Sequence, residues 1–528
     1  MRNFHFPGRS PVIGRKAMIA TSHPAATLAG LEMLRKGGNA VDAAICATAV
    51  MCVVEPAMTG IGGDCFTIIS KPGQKPIALN ASGRAPKAAT ADWYAKKGIK
   101  AIEMQTAHAV TVPGAIDGWA TLLRDHGSRS FADVLAPAIE HAEKGFPVHA
   151  RVAVDWAGLV PKVKAGNEGA RANLLKDGRA PRVGEIMHFK ALAETLKVIA
   201  AKGRDGFYTG AVAEDMVAEL KALGGLHTME DFANQRCTYV EPIAVTYKGI
   251  ELLELPPNLH GIVALTMLKM LDRMGNIGPA VSVERYHTMM EAVRLTFAMR
   301  DTFVADPEHA KVPVEHMLSD AFVDELVKRI DRKARKPDLG PIPRPAGTDT
   351  IYMTVADEKG MVVSFINSIF SGFGSGLATK KTGITLHNRG QGFVLDPKHP
   401  NVIAPGKRPM HTLIPALAMK DGKPWASFGV MGANFQPMGH VYVMTNMLDY
   451  GMDPQEALDS PRVFFEGQTL WCEESVPADV VNGLKAMGHP VAMRPDPWGG
   501  GQIIQFDHEQ GTLTGASDPR KDGLALGY

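Results

Sequence analysis

The sequence predicts a layered α/β sandwich in which the parts before and after residue 350 both supply one sheet system. Three observations carry this. Composition is ordinary for a globular protein, 45% hydrophobic and 21% charged, with ample material for a core. Apolar residues recur with a period near 3.6 in stretches such as FADVLAPAIEHAEKG and FKALAETLKVIAAKG, which read as helices. Beyond the irregular stretch 332–350 the reading changes to β, and strand pairs follow. A mainly helical first part and strand pairs after the break fit layers that share one sheet system.

Length and charge narrow the function classes. At roughly 150 residues per domain the 528 residues allow three or four domains, although large α/β enzymes form one unit. A net charge of +2, from 57 basic and 55 acidic residues, gives no general attraction to nucleic acid or membrane. The expected partners are small molecules or copies of the chain itself, with neither cofactor nor metal. Five cysteines, at 46, 52, 65, 237 and 472, are scattered through apolar runs and read as buried free thiols, with no zinc-site spacing. The first residues, MRNFHFPGRSPVIGRK, interrupt any signal-peptide core with Pro, Gly and charge, so the expected location is cytoplasmic. Ala43 to Val54 is too short to span a bilayer and reads as a buried helix.

In chain order, Thr21 to Val54 reads as two helices, with Ser22 as the first cap and Gly37-Gly38 as the stop between them. The stretch 59-TGIGGDCFTIIS-70 is a glycine-rich loop entering a strand. It lacks the Lys-Ser/Thr of a phosphate loop and precedes a strand where such loops precede helices, so its glycines read as a tight turn or a close backbone approach. Residues 110–146 and 190–222 read as helices, 238–255 as strands, and 260–300 and 313–331 as helices again. The loop 332-RKARKPDLGPIPRPAGTDT-350, with four prolines and five basic residues, can be neither helix nor central strand. TIYMTVAD, MVVSFINSIF, GITLHN, LIPALAMK, WASFGVMG and GGQIIQFD then read as strands.

The break at Asp349-Thr350 has chemical potential. A hydroxyl needs an adjacent base to become a nucleophile, and the α-amine of the same residue supplies one once the residue is a chain terminus. With a pKa near 7.7–8.0, much of such an amine is neutral at working pH. Attack of the Thr350 hydroxyl on the preceding carbonyl would give an ester, and hydrolysis would free the amine. By itself, a Thr heading a strand is also simply a β-branched strand residue.

Along its whole length the chain resembles the γ-glutamyltransferase (glutathione hydrolase) family of N-terminal nucleophile hydrolases. The resemblance rests on 36-KGGNAVDAA-44, 55-EP-56, 59-TGIGGD-64, 83-GRAP-86, 112-VPGAIDGW-119, the strand from Thr350, 371-SGFGSG-376, 408-RPMHTLIP-415, 429-GVMGAN-434, 459-DSPR-462 and 515-GASDPR-520. It implies a four-layer αββα sandwich, with cleavage between Asp349 and Thr350. The products would be a large chain, 1–349, and a small chain, 350–528, which stay associated as one globular unit and allow a homodimer of that unit. It also implies that Thr350 is the nucleophile, that Ser368 stands where the family has a supporting Thr, and that Gly432 and Ala433 stand where a Gly-Gly pair forms an oxyanion hole.

Where the family holds a γ-glutamyl group, this chain differs: Ser82, Phe370, Arg389, Gly392 and His411-Thr412 occupy those positions. An ammonium facing Arg389 would be repelled, whereas a guanidinium suits a carboxylate. Arg389, joined by Arg84, with Phe370, His411 and Thr412 around it, is the expected substrate site. The pattern is similar to the oxamate amidohydrolase-like branch of the family and implies a small amide bearing a carboxylate. Two alternatives stand beside it: γ-glutamyl compounds bound in a rearranged pocket, as in a glutathione hydrolase or transpeptidase, and an uncleaved scaffold that only binds ligands.

Overall fold

The computed structural model describes residues 8–336 and 350–528; Asp349 and the loop before it lie outside the described residues. Two seven-stranded antiparallel sheets face each other. The first runs, in spatial order, Leu524–Gly527, Met18–Thr21, Ile351–Ala356, Val362–Ser368, Asp64–Ser70, Ile77–Ala81 and Thr238–Val240. The second runs Val12–Gly14, Thr512–Ser517, Gly500–Asp507, Lys423–Met431, Ala416–Lys420, Ile250–Glu254 and Ile243–Tyr247. Each sheet takes strands from both sides of residue 350, so neither side could complete a sheet alone.

Three apolar cores fill the spaces between four layers. Helices Pro24–Arg35 and Ala40–Val54 cover the outer face of the first sheet, where Ile351, Met353 and Val355 meet them. Helices Gly261–Met274, Val283–Phe303 and Gln436–Leu448 cover the second sheet. Between the sheets lie Phe66, Ile68, Tyr352, Ile366, Leu417 and Ile504. The result is the expected αββα sandwich. The central strands are buried on both faces and therefore read as continuous apolar runs.

Local chemistry sets the helices. Ala40–Val54 is buried at every position and begins on a capping box, Asn39 with Asp42. Asp42 also accepts from the N–H groups of Ser128 and Arg129, fixing the turn between helices Ala115–His126 and Phe131–Lys144. The first helix is capped by His23 and not by Ser22, whose hydroxyl instead donates to the buried Glu55. The stretch 110–146 is two helices, because Gly127 ends one and Ser130 caps the next. The strand stretch 238–255 divides between the sheets: Thr238–Val240 edges the first, and past Pro242 the chain crosses to the second. All five cysteines are free, four of them buried.

The sheets approach closely at Tyr352, whose ring lies over Gly429; a Cβ there would stand 2.5 Å from the ring. Gly429→Ala should therefore lower stability by about 1–3 kcal/mol through overpacking. Thermal unfolding of the pure protein measures this, with an unchanged melting temperature as the contrary result.

Candidate active site

Antiparallel register builds the site. Strand Ile351–Ala356 pairs Ile351 with Asn367, and one step beyond sets Thr350 opposite Ser368. Ser368 in turn pairs with Asp64 on the next strand. Thr350, Ser368 and Asp64 thus form one row across three strands at one end of the inter-sheet space, all fully buried. The Thr350 hydroxyl donates to Ser368 Oγ at 3.2 Å. The backbone closes in because Gly63 lacks a side chain: a Cβ there would sit 2.2 Å from the Ser368 carbonyl oxygen.

The second sheet brings the turn Gly432–Ala433 to the same end. Thr354 bonds Ser427 across the gap at 2.6 Å, and Tyr352 lies over Gly429. The next step of that alternation sets Thr350 level with Met431, the last residue of its strand, just before the turn. Gly432 and Ala433 have φ of 124° and 48°. An alanine in the left-handed region costs on the order of 1 kcal/mol and persists only where its surroundings impose it.

Beyond Ser368 the chain bends through Phe370, also at positive φ (80°), so that the Phe370 N–H donates to Ser368 Oγ at 2.8 Å. The ring of Phe370 covers the Arg389 guanidinium at 4.3 Å. Arg389 opens a single 3-10 turn, Arg389–Gly392, and is 2% exposed. It donates to Thr412 Oγ1 at 2.7 Å and to Ser368 Oγ at 3.3 Å, and its Nε has no partner. Among the described residues no carboxylate lies within ion-pair distance of it. Burial pushes its pKa down, and the neighbouring charge of Asp64 opposes this.

Asp64 was not anticipated from the sequence, yet three of the recurring motifs converge on it. Its Oδ1 accepts the N–H groups of Gly83, at 2.9 Å, and Gly114, at 3.0 Å. Its Oδ2 accepts from His411 Nε2 at 3.1 Å, and His387 Nδ1 stands 3.5 Å away. Burial favours the neutral acid, but attraction and hydrogen bonds from His387 and His411 hold Asp64 well below the usual carboxylate range. The available signal was a lone acid heading the otherwise apolar run DCFTIIS.

Two expected substrate ligands are spent elsewhere. His411 receives the Leu413 N–H on Nδ1 at 3.2 Å and gives its Nε2–H to Asp64, so neither nitrogen is free for a ligand. Burial, with Arg389 nearby, pushes its pKa down to about 3, and it is neutral. Arg84 does not join Arg389: it forms a forked pair with Glu308, at 2.8 and 3.1 Å, and donates to the carbonyl of Gly406. The two-arginine receptor expected from the sequence is reduced to Arg389, because Glu308 offers Arg84 a carboxylate. Ser82 is buried, within 3.4 Å of Asn258 Nδ2, and Gly392 packs under the carbonyl of Met410.

Comparison with known proteins gives consistent matches. A family profile described as Gamma-glutamyltranspeptidase matches residues 26–528. The glutathione hydrolase-like YwrD proenzyme of Bacillus subtilis is 38% identical, over 98% of this chain and 99% of that protein. The oxamate amidohydrolase proenzyme of Klebsiella pneumoniae is 36% identical, over 98% of this chain and 99% of its own. Among solved structures, cephalosporin acylase from Bacillus halodurans superimposes with a TM-score of 0.93 at 38% identity, covering 100% of this chain and 99% of that one.

Buried neutral imidazoles make the protein acid-sensitive. Burial is the main cause that pushes His23, His411 and His489 to about 3, His227 to about 4, and His260 well below its usual value. In the unfolded chain they titrate near 6.5, so between the folded and unfolded values the unfolded state binds more protons and stability is lost as pH falls through that window. Glu55, raised by burial to about 7, and Glu254, also raised, act in the opposite sense but are outnumbered. Between pH 6 and 5 the net loss should be about 2–4 kcal/mol, read from urea-unfolding midpoints; a flat profile would contradict the buried-neutral assignment.

Proposed function

The chain belongs to the gamma-glutamyltranspeptidase family, and from that premise we propose that it is a self-processing N-terminal threonine amidohydrolase that acts on a small amide bearing a carboxylate. One observation carries the substrate class. Arg389, buried and among the described residues without a carboxylate partner, touches the same Ser368 hydroxyl that receives the Thr350 hydroxyl. A carboxylate bound at Arg389 therefore lies within a few bonds of the nucleophile, and Phe370, whose ring lies over Arg389, favours a short acyl arm. The name of the Klebsiella relative, an oxamate amidohydrolase, agrees with such a substrate.

Chemistry follows in two stages. Thr350 Oγ1 attacks the Asp349 carbonyl, the acyl group shifts from nitrogen to oxygen, and water cleaves the ester to free the Thr350 amine. In the mature enzyme that amine takes the proton from Thr350 Oγ1 as the oxygen attacks the substrate amide. The N–H groups of Gly432 and Ala433 receive the developing oxyanion, worth about 3–4 kcal/mol of barrier per donor. The proton passes to the departing nitrogen, an acyl-Thr350 ester remains, and water releases the acid. Ser368 holds the nucleophile's hydroxyl in line throughout.

A second reading keeps this chemistry and takes γ-glutamyl compounds, in keeping with the glutathione hydrolase-like name of the Bacillus subtilis relative. A substrate ammonium would then face Arg389, a repulsion of several kcal/mol in a buried site. A panel of oxamate, glutaryl amides and a γ-glutamyl chromogenic amide separates the two, and fastest turnover of the γ-glutamyl amide overturns the preferred reading.

Thr350→Ala should abolish cleavage and activity together, leaving one 56.7 kDa chain by intact-mass measurement; normal processing in that variant removes Thr350 as nucleophile. Arg389→Met, which keeps most of the volume and drops the charge, should lower kcat/KM for the carboxylate amide by about 100-fold or more, mainly through KM. Its autocleavage should proceed normally.

A further inference from the structure

Two of the motifs, 459-DSPR-462 and 515-GASDPR-520, lie away from the nucleophile but meet each other in a buried ion network. Arg462 pairs with Asp518 at 2.5 Å, and Arg520 holds Glu473 through two bonds, at 2.8 and 2.6 Å, while reaching Asp518 at 3.2 Å. Asp518 and Arg462 are almost wholly out of water. Burial alone would neutralise Asp518; the two arginines hold it down at about 2.

The network is aimed at one short segment, 498–501. Arg462 Nη1 donates to the Trp498 carbonyl at 2.6 Å, Glu473 accepts the Trp498 N–H at 3.3 Å, and Asp518 accepts the Gly501 N–H at 2.9 Å. Between these anchors, Gly499 presses so closely on strand Lys423–Met431 that a Cβ would stand 2.2 Å from the Met431 carbonyl oxygen. Its Cα is also next to Gly432. Trp498 stacks on Phe435 at 5.8 Å with planes 10° apart, and the Arg462 guanidinium lies over the same Phe435 ring at 5.5 Å. Phe435 ends the 3-10 turn that starts at Ala433, and its N–H closes on the Gly432 carbonyl at 2.8 Å.

We propose that Arg462 and Trp498 are positioning residues for the oxyanion turn: the Arg462–Asp518 pair clamps the 498–501 segment and, through Gly499 and the Trp498–Phe435 stack, holds Gly432 and Ala433 in their left-handed conformations. The inference rests on the acyl-threonine reading above. An alanine at φ of 48° relaxes unless its neighbours prevent it. The clamp touches this turn and neither Arg389 nor Ser368, so it governs the tetrahedral state and leaves recognition of the carboxylate alone.

The test uses the processed two-chain enzyme with Arg462→Lys, which keeps a charge against Asp518 but cannot also reach the Trp498 carbonyl, and with Trp498→Phe. Two probes are compared. Carboxyethylboronic acid adds to Thr350 Oγ1, the proton passing to the Thr350 amine and a B–O bond forming, so that a boronate oxygen occupies the oxyanion position. Succinate offers carboxylates and forms no such adduct. Both variants should lose about tenfold or more in kcat with KM within twofold, boronate inhibition weakening by a similar factor and succinate inhibition unchanged. Boronate inhibition equal in wild type and variants would overturn the clamp alone. A wild-type enzyme that does not respond to the boronate would overturn the acyl-threonine reading and the clamp with it. Parallel loss of succinate binding would show a general disturbance of the pocket and would also reject the positioning role.

Discussion

A guanidinium carried out of water, with no carboxylate against it among the described residues, is the constraint that shapes this site. An isolated buried charge costs several kcal/mol even after relaxation. Arg389 offsets this with the hydroxyls of Thr412 and Ser368, the face of Phe370, and the charge of Asp64 one residue further along the strand row. A cation over an aromatic face in a dry site contributes about 2 kcal/mol, and two hydrogen bonds to a charged group about 1.5–3 kcal/mol each. The compensation is dispersed, and the unpartnered Nε leaves capacity over. On the proposed reading, a carboxylate ligand would complete this compensation, and the site would select for one charge sign.

Thr350 owes its place to backbone geometry more than to side-chain attraction. Register between Ile351–Ala356 and Val362–Ser368 sets Thr350 against Ser368, and a slip of one residue would turn both to the helix side. Gly63 and Gly429 admit backbone and ring approaches that any side chain would block. The left-handed residues Phe370, Gly432 and Ala433 sit just past the ends of strands that converge on this corner. Strain is thus collected at the site, while the three apolar cores that enforce it lie between the layers.

The sequence made the architecture legible where period and position agreed. The strands after residue 350 were readable because TIYMTVAD and MVVSFINSIF are apolar runs bounded by turn residues, and the Pro-rich loop marked the break. Strands Val12–Gly14 and Met18–Thr21 were not readable, since their pairing partners lie hundreds of residues away at the other end of the chain. Ser22 looked like a cap, but Glu55 captured its hydroxyl, a contact with no local trace. At the site, Thr350, Ser368 and Arg389 come together as their positions suggested. Arg84 and His411 do not serve as free ligands, because Glu308 and Asp64 claim them, and such claims depend on tertiary partners that spacing does not reveal.

On the proposed reading, Ser368 joins recognition to reactivity. Among the described residues its oxygen, with two lone pairs, faces three donors: the hydroxyl of Thr350, the N–H of Phe370 and Nη2 of Arg389. These cannot all be well satisfied at once, and the longest of them is the contact from Arg389 at 3.3 Å. On the proposed reading, a carboxylate that draws Nη2 away relieves this crowding. Thr350 would then be held more firmly when the receptor is filled than when it is empty. Such a link needs no moving element, only a hydroxyl with fewer lone pairs than neighbours. It also accounts for the proximity of the receptor to the nucleophile, since one oxygen can couple them only when both lie within hydrogen-bond reach of it.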